Sequence, residues 1–568
     1  MQILRINMNK QTWQKEPLPE SWTKLGGRGL IAKILLDEVP PACDALGPFN
    51  KLIFAIGLLA GCRLSSCDRL SVGGKSPLTG GIKESNAGGS TAQRMVDLGL
   101  RAVIIEGQPD SKVLCVLHIN DSGVAFVPVP DLAHKGIYDT SDTLKKTYSK
   151  KAAMSIIGPA GEMLLQSAGI NNLDKDGRPS RINARGGLGA LMGSKRIKAI
   201  VFDPAGTDSQ SLSDVAGFKQ IQKRYTKVTA DHPQTKVYAE FGTQAMTSYC
   251  NSVGALPTRN FSSGNFDLVD DISGDSFHDL LLVRGKPSNT THACMAGCII
   301  RSSNVFGDDN GCEIVAPLEY ETIRLVGSNL GLNNLDDIGK INRAANDIGV
   351  DTIELGAALG VAAEAGLMAF GDGKRALELV DEIRAGSALG RVLGSGAGVT
   401  GKVFGIRRVP VVKNQAISAY DPRAIKGTGV TFATSPQGAD HTCGNTIRAK
   451  VDHLKPEKQV ETSRASQFNM AGYDTLGACM FTTFGLGANP DIVPELINMI
   501  YGWNVGAGFL QELGRETIRM ERTFNRAAGF TEKDDRIPEW MTEEPLPPHG
   551  TVFDVPHEEL DHIFDQVS

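Results

Sequence analysis

One change of texture, near Pro204, restricts this 568-residue chain to few architectures. Before it, short apolar or alternating runs separated by Gly, Pro, Asn and Asp predict strands over 52–56, 102–106, 113–119, 124–129, 154–158 and 197–202. Asn120-Asp-Ser-Gly123 predicts a hairpin between two of them. Beyond Ser209 a helical period takes over. Ile338, Ile341, Ala345 and Ile348 share one face, and Gly349 is placed to cap that helix. Residues 351–370 are apolar on nearly every side and predict a buried helix. Leu510, Leu513, Thr517, Met520 and Phe524 make a one-sided helix with Arg and Glu opposite. The acidic, proline-rich tail after Pro538 reads as surface wrapping. The expected class is α+β: a β-rich N-terminal domain over 1–208, then two mainly helical domains over 209–410 and 411–568.

A net charge of −5 without Lys- or Arg-rich tracts offers no field for nucleic acid. The longest apolar runs, such as 52–60, are too short to span a bilayer, and the first residues lack the pattern of a signal peptide, so a cytoplasmic protein is expected. Glycine stands out: 64 residues, against a usual share of about 7%. The excess is clustered, at 26–29, 73–74, 80–81, 88–89 and 186–189, as suits backbone that turns tightly or passes close to a ligand. The 186–189 cluster could be a phosphate turn, but GxGxxG spacing is absent and no acidic residue follows at the expected distance, which disfavours a nicotinamide site.

Two thiol-bearing segments carry the chemistry. Cys294-Met-Ala-Gly-Cys298 and Asp474-Thr-Leu-Gly-Ala-Cys479 lie far apart in a chain with no sign of secretion, where thiols serve as metal ligands more readily than as disulfide partners. Three thiolates are most of an iron–sulfur site, and a cluster moves electrons. Three buried structural cysteines is the plainer alternative.

The motifs at 26–30, 75–81, 85–89, 104–107, 158–162, 185–193 and 195–200, followed by Glu319-Tyr-Glu321, 349–353, 433–441 and 474–479, occur in the order of one family. Over nearly its whole length the chain resembles the tungsten-containing aldehyde:ferredoxin oxidoreductases. The resemblance implies two N-terminal sheets cradling a tungsten or molybdenum bis-pterin, with a [4Fe-4S] cluster beside it passing electrons to ferredoxin or another low-potential carrier. Arg69, Asn86, Gly88, Arg185, Gly186 and Leu188 fall where that first domain contacts the cofactor. Asp351 with Leu355 and Gly356, and Asp474 with Ala478 and Met480, match the two carboxylate-led loops, one for each pterin. A carboxylate can accept from a pterin's amino and N–H edge, and an arginine fork can donate to phosphate or carbonyl. Read alone, Asp351 and Asp474 could equally be helix caps.

The family pattern has a further cysteine three residues before Cys294; here that position is Thr291. Cys294, Cys298 and Cys479 are therefore the expected ligands, with the fourth open among His292, Cys312 and Cys443, a three-cysteine centre, or no cluster. For acid–base work the resemblance implies His441 and a glutamate, Glu319 or Glu321. The implied reaction oxidises a small aldehyde to a carboxylic acid. A relative reducing an activated aromatic ring or another oxo compound, and a non-catalytic cofactor-binding subunit, are the alternatives. A homodimer or separate electron-transfer subunits would fit either.

Overall fold

The computed structural model describes residues 1–208 and 210–565; Ser209, the expected start of the second domain, and 566–568, the end of the third, lie outside the described residues. Twelve strands precede residue 203. β1 (Gln2–Asn7), β2 (Thr12–Pro17), β3 (Leu52–Ile56), β4 (Leu70–Lys75), β5 (Ile82–Ala87) and β6 (Leu100–Glu106) form one sheet in the order β2-β1-β6-β3-β4-β5. β7 (Cys115–Asn120), β8 (Gly123–Pro128), β9 (Ala153–Ile156), β10 (Ile170–Asn172), β11 (Arg181–Asn183) and β12 (Ile197–Phe202) form the second, in the order β11-β10-β9-β12-β7-β8. The predicted hairpin closes with Asn120 opposite Gly123.

Because side chains alternate across a strand, each sheet has two faces to cover. Leu4, Phe54 and Val103 of the first sheet meet Leu117, Ile200 and Phe202 of the second, so the sheets pack face to face. Ile3, Ile53 and Ile104, on the outer face of the first sheet, lie under helix Gly27–Glu38 and under helices Ile492–Tyr501 and Phe509–Ala527 from the far end of the chain. The fold thus returns its C-terminal helices onto its N-terminal sheet, which is the contact that builds the site.

The helical half matches the expected class, with differences of detail. Helix Leu335–Ile348 ends on Gly349 at φ 77°, a left-handed cap that glycine adopts without strain. The next helix runs over Thr352–Glu364, shorter than the predicted 351–370, because Gly366 (φ 78°) stops it. The tail wraps the surface but is also anchored, with Trp540, Phe553 and Phe564 buried. No helix among the described residues is long and apolar enough to cross a membrane.

Candidate active site

The segment around Asp474 is held by main chain. It forms the last turn of helix Gln459–Leu476, closed by Gly477 at φ 75°. Along it run the end of β3 and the following loop: Leu59 N donates to Leu476 O (3.0 Å), Arg69 N to Gly477 O (3.1 Å), and Cys479 N to Ser66 O (2.8 Å). Gly57 must be glycine there, since a Cβ would lie 2.2 Å from Gly477 N. Asp474 is therefore not an N-cap. Its carboxylate accepts from Asn86 Nδ2 (3.0 Å) and Arg28 Nη1 (3.2 Å), and Arg69 donates through Nε and Nη2 to the Asn86 side chain and carbonyl. Arg28 also makes a two-pronged contact with Glu521, 2.8 Å on each prong.

Arg69, Asn86 and Asp474 line a cavity of about 560 Å³ together with Glu319, Glu321 and His441. Burial pushes Asp474 up to about 6 despite Arg28, and pushes its neighbour Glu84 up to about 8, with the charge of Asp474 adding to the effect. Glu84 Oε1 has no hydrogen-bond partner. Sequence reasoning missed Arg28, Glu84 and Glu521. An arginine flanked by glycines at a helix start was the available signal for the first; nothing local marked the others.

A second relay runs from Asp351. It caps helix Thr352–Glu364 by accepting from Ile353 N (3.0 Å), and it also pairs with Arg185 Nε (3.3 Å), so cap and ion pair coexist. Arg185 goes on to Ser418 Oγ (3.0 Å) and the carbonyls of Ala439 and Ala416 (2.5 Å each). Ser418 Oγ lies 3.0 Å from His441 Nδ1, and His441 Nε2 lies 3.3 Å from Glu321 Oε1. With Ser418 donating to Nδ1, the ring proton sits on Nε2, facing Glu321. Glu321 Oε2 is held by Ala419 N (2.8 Å), while Oε1 accepts no full hydrogen bond among the described residues and faces only the His441 ring. The geometry thus separates the two glutamates. Glu319 is bound by Thr243 (2.6 Å) and Ser303 (3.1 Å), whereas Glu321 keeps a free acceptor beside His441. Burial raises Glu321; His441 and Arg185 pull it back in part. Asp440, next in chain, pairs with buried Lys83 (2.9 Å); burial would raise it, but Lys83 and Arg185 hold it well below the usual carboxylate range.

Met480 and Cys479 line the cavity with these groups; Gly88, Gly186, Leu188, Leu355, Gly356 and Ala478 are not in its lining, nor are Arg185 and Asp351. Gly88 borders the thiols: a Cβ there would lie 2.9 Å from Cys294 Sγ. The close approach of Cys294 and Cys298 raises the first thiol and lowers the second; the charge of Cys479 adds to the rise of Cys294, and that of Cys298 to the rise of Cys479. The open candidates lie elsewhere. Thr291 donates to Ala239 O. His292 is held between Arg181 (3.2 Å) and Asp176 (2.8 Å). Cys312 is exposed, and Cys443 packs on Arg28.

The N-terminal-domain profile of the aldehyde ferredoxin oxidoreductases matches residues 3–204, and the profile of their domains 2 and 3 matches 220–566. The chain belongs to the aldehyde ferredoxin oxidoreductase family. It is 32% identical to the tungsten-containing aldehyde ferredoxin oxidoreductase of Pyrococcus horikoshii, over 96% of this chain and 92% of the relative. It is 25% identical to an aliphatic sulfonate oxidoreductase, WOR-like subunit, of Pyrococcus furiosus, over 96% of this chain and 89% of the relative. Among solved structures, the active-site complex BamBC of benzoyl coenzyme A reductase, in complex with 1,5-dienoyl-CoA, superposes with TM-score 0.81 at 19% identity, covering 100% of this chain and 93% of the other. Members of the aldehyde ferredoxin oxidoreductase family are oxidoreductases, and the solved neighbour shares the fold described above, two N-terminal sheets followed by a mainly helical part.

Proposed function

We propose that this protein is a tungsten- or molybdenum-dependent oxidoreductase that converts an aldehyde and water to a carboxylic acid, two protons and two electrons, passed through an iron–sulfur centre to ferredoxin or a similar low-potential carrier. The observation that carries this reading is the Glu321–His441 pair lining the same cavity as Arg69, Asn86 and Asp474. The residues fit a bis-pterin by their chemistry. Arg69, Asn86 and Asp474, a fork, an amide and a carboxylate in the cavity lining, would exchange their bonds to one another for bonds to a pterin's edge. Arg69, Asn86 and Asp474 would hold one pterin from the cavity lining, with Arg185 and Asp351, outside that lining and bonded to each other, bracing the site. Bound there, the metal–pterin group would supply the Lewis acid and two-electron acceptor.

The chain's own residues do the rest. Glu321 Oε1 accepts a proton from the attacking water, while His441, fixed by Ser418, turns its Nε2–H toward that oxygen and orients it. Arg185 and Asp351 keep that imidazole in one orientation and tautomer. Tyr238, Phe481 and Phe484 line the outer cavity with Arg448 over two of their rings, at 5.4 and 5.6 Å, and keep bulk water from the reacting carbon. This aromatic wall favours an aromatic aldehyde over a short aliphatic one, and it also suits the second reading, reduction of an activated aromatic ring. Anaerobically purified protein, assayed for metals and with a panel of aliphatic and aromatic aldehydes and a viologen acceptor, tests the proposal. Tungsten or molybdenum with aldehyde-dependent viologen reduction is expected. Metal without aldehyde turnover would favour the second reading, and absence of both metals would refute a redox catalyst.

A further inference from the structure

We propose that Arg448 anchors an anionic group of the substrate, which makes the substrate class an aromatic aldehyde with a carboxylate on its ring; the inference rests on the reading of this cavity as the site of aldehyde oxidation. Among the described residues, the cavity lining holds two arginines and no lysine. Arg69 is committed to Asn86 through Nε and Nη2. Arg448 is exposed to solvent on one side and lines the cavity on the other. Its partners are neutral: Nη2 donates to Tyr238 OH at 2.9 Å and lies 3.5 Å from Met246 Sδ. Its Nε and Nη1 donate to none of the described residues, and no carboxylate among them pairs with it. The guanidinium thus brings a charge to the cavity that the chain itself does not offset.

The acids of the lining are engaged elsewhere. Glu319 is held by Thr243 and Ser303, Asp474 by Asn86 and Arg28, and Glu321 faces His441. Asn445, Ser466 and Asn469, also in the lining, add amides and a hydroxyl but no charge. Tyr238, Phe481 and Phe484 form one aromatic cluster, with ring centroids 4.7, 5.3 and 5.5 Å apart. Arg448 lies over two of those rings, at 5.4 and 5.6 Å. A guanidinium stacked on a ring uses its face, and its N–H groups, which lie in its own plane, stay available for a carboxylate. A substrate ring packed on the same cluster would carry its substituent to those donors. Closing the cavity against water needs only an apolar chain over the rings; a cation there adds attraction for an anion.

The test uses the full chain purified anaerobically and compares kcat/KM for para-carboxybenzaldehyde and para-methylbenzaldehyde, two substrates of similar size and different charge, with a viologen acceptor. The ratio is taken within each protein, so differences in folding or metal loading cancel. It is expected to fall about tenfold in Arg448→Met, which keeps an apolar chain over the rings, and by less in Arg448→Lys, which keeps the charge. Calorimetric titration with terephthalate and para-methylbenzoate, which do not react, gives a readout apart from turnover. Wild type is expected to bind terephthalate about tenfold more tightly, and Arg448→Met to lose that preference. An unchanged kcat/KM ratio in Arg448→Met, or a terephthalate preference that survives in it, would overturn the inference while leaving the aldehyde reading in place. Turnover of neither aldehyde, with a terephthalate preference that depends on Arg448, would instead overturn the aldehyde reading and keep Arg448 as the anion anchor.

Discussion

Arg28 offers the most demanding test, because it is a fully buried cation shared between two buried carboxylates from different parts of the chain. It is 1% exposed, bonded on both prongs to Glu521 and by Nη1 to Asp474. Replacing it with methionine keeps most of the volume and leaves both acids without their cation. Removing one partner of a buried pair costs about 3–5 kcal/mol. Treating the chain as one cooperative unit, 568 residues at about 2.1 cal/mol/K each give a melting entropy of about 1.2 kcal/mol/K, so the melting temperature should fall by about 2.5–4 °C. The loss should also depend on pH. Asp474 already sits at about 6 with Arg28 present, and without Arg28 it rises further. A carboxyl whose folded pKa exceeds its unfolded one binds protons that the unfolded chain has released, so stability falls as pH rises between the two values. Arg28→Met should therefore lose more at pH 8 than at pH 5. Adding Glu521→Gln removes one stranded charge while leaving an acceptor for Gln437. The double variant should then cost about 0.5–3 kcal/mol less than the sum of the two singles. Calorimetry at both pH values reads all of this. Additive losses with no pH dependence would refute the view that Arg28 acts by neutralising the two acids.

Three further outcomes follow from the same geometry. Glu321→Gln should lower turnover by roughly 10²–10⁴-fold. It should also abolish an acid limb of kcat/KM that in wild type lies above the ordinary carboxylate range, because burial raises Glu321; an unchanged pH profile would exclude it from proton transfer. Gly57→Ala places a Cβ 2.2 Å from Gly477 N. Backbone must move, so a loss of about 3 kcal/mol or more is expected, with reduced metal content, read by melting temperature and elemental analysis. Glu354, buried against Ala397 N and Ala416 N, is pushed by burial from 4.5 to about 7. Relative to Glu354→Gln, wild type should lose on the order of 3 kcal/mol as pH rises from the lower value to the higher, and change little beyond. Denaturation curves for the pair across that range would show it.

What could be read locally follows from periodicity. Strands 52–56 and 197–202 match because both are apolar on both faces and bounded by turn residues. β1, β4 and β5 escaped notice because Arg5, the Gly73-Gly74 pair and the polar Lys83 to Asn86 hide the alternation, and only pairing with neighbours makes them strands. Asp474 was visible as a carboxylate before a glycine turn. Its role as the acid joining Arg28, Asn86 and the cavity depends on residues 388 and 446 positions away.

Sequence by itself determined the family and the order of a β-rich part and a helical part, and singled out Asp351, Asp474, His441 and the three cysteines as candidates, because residue type and order survive without coordinates. Tertiary structure alone decided which glutamate faces His441, that Thr291 is bonded to Ala239 and His292 to Asp176, and that Ser66 donates to Cys298. Those outcomes depend on side-chain direction and on the return of the C-terminal helices to the first sheet. Contacts of that kind are fixed by packing across hundreds of residues, which no local pattern encodes.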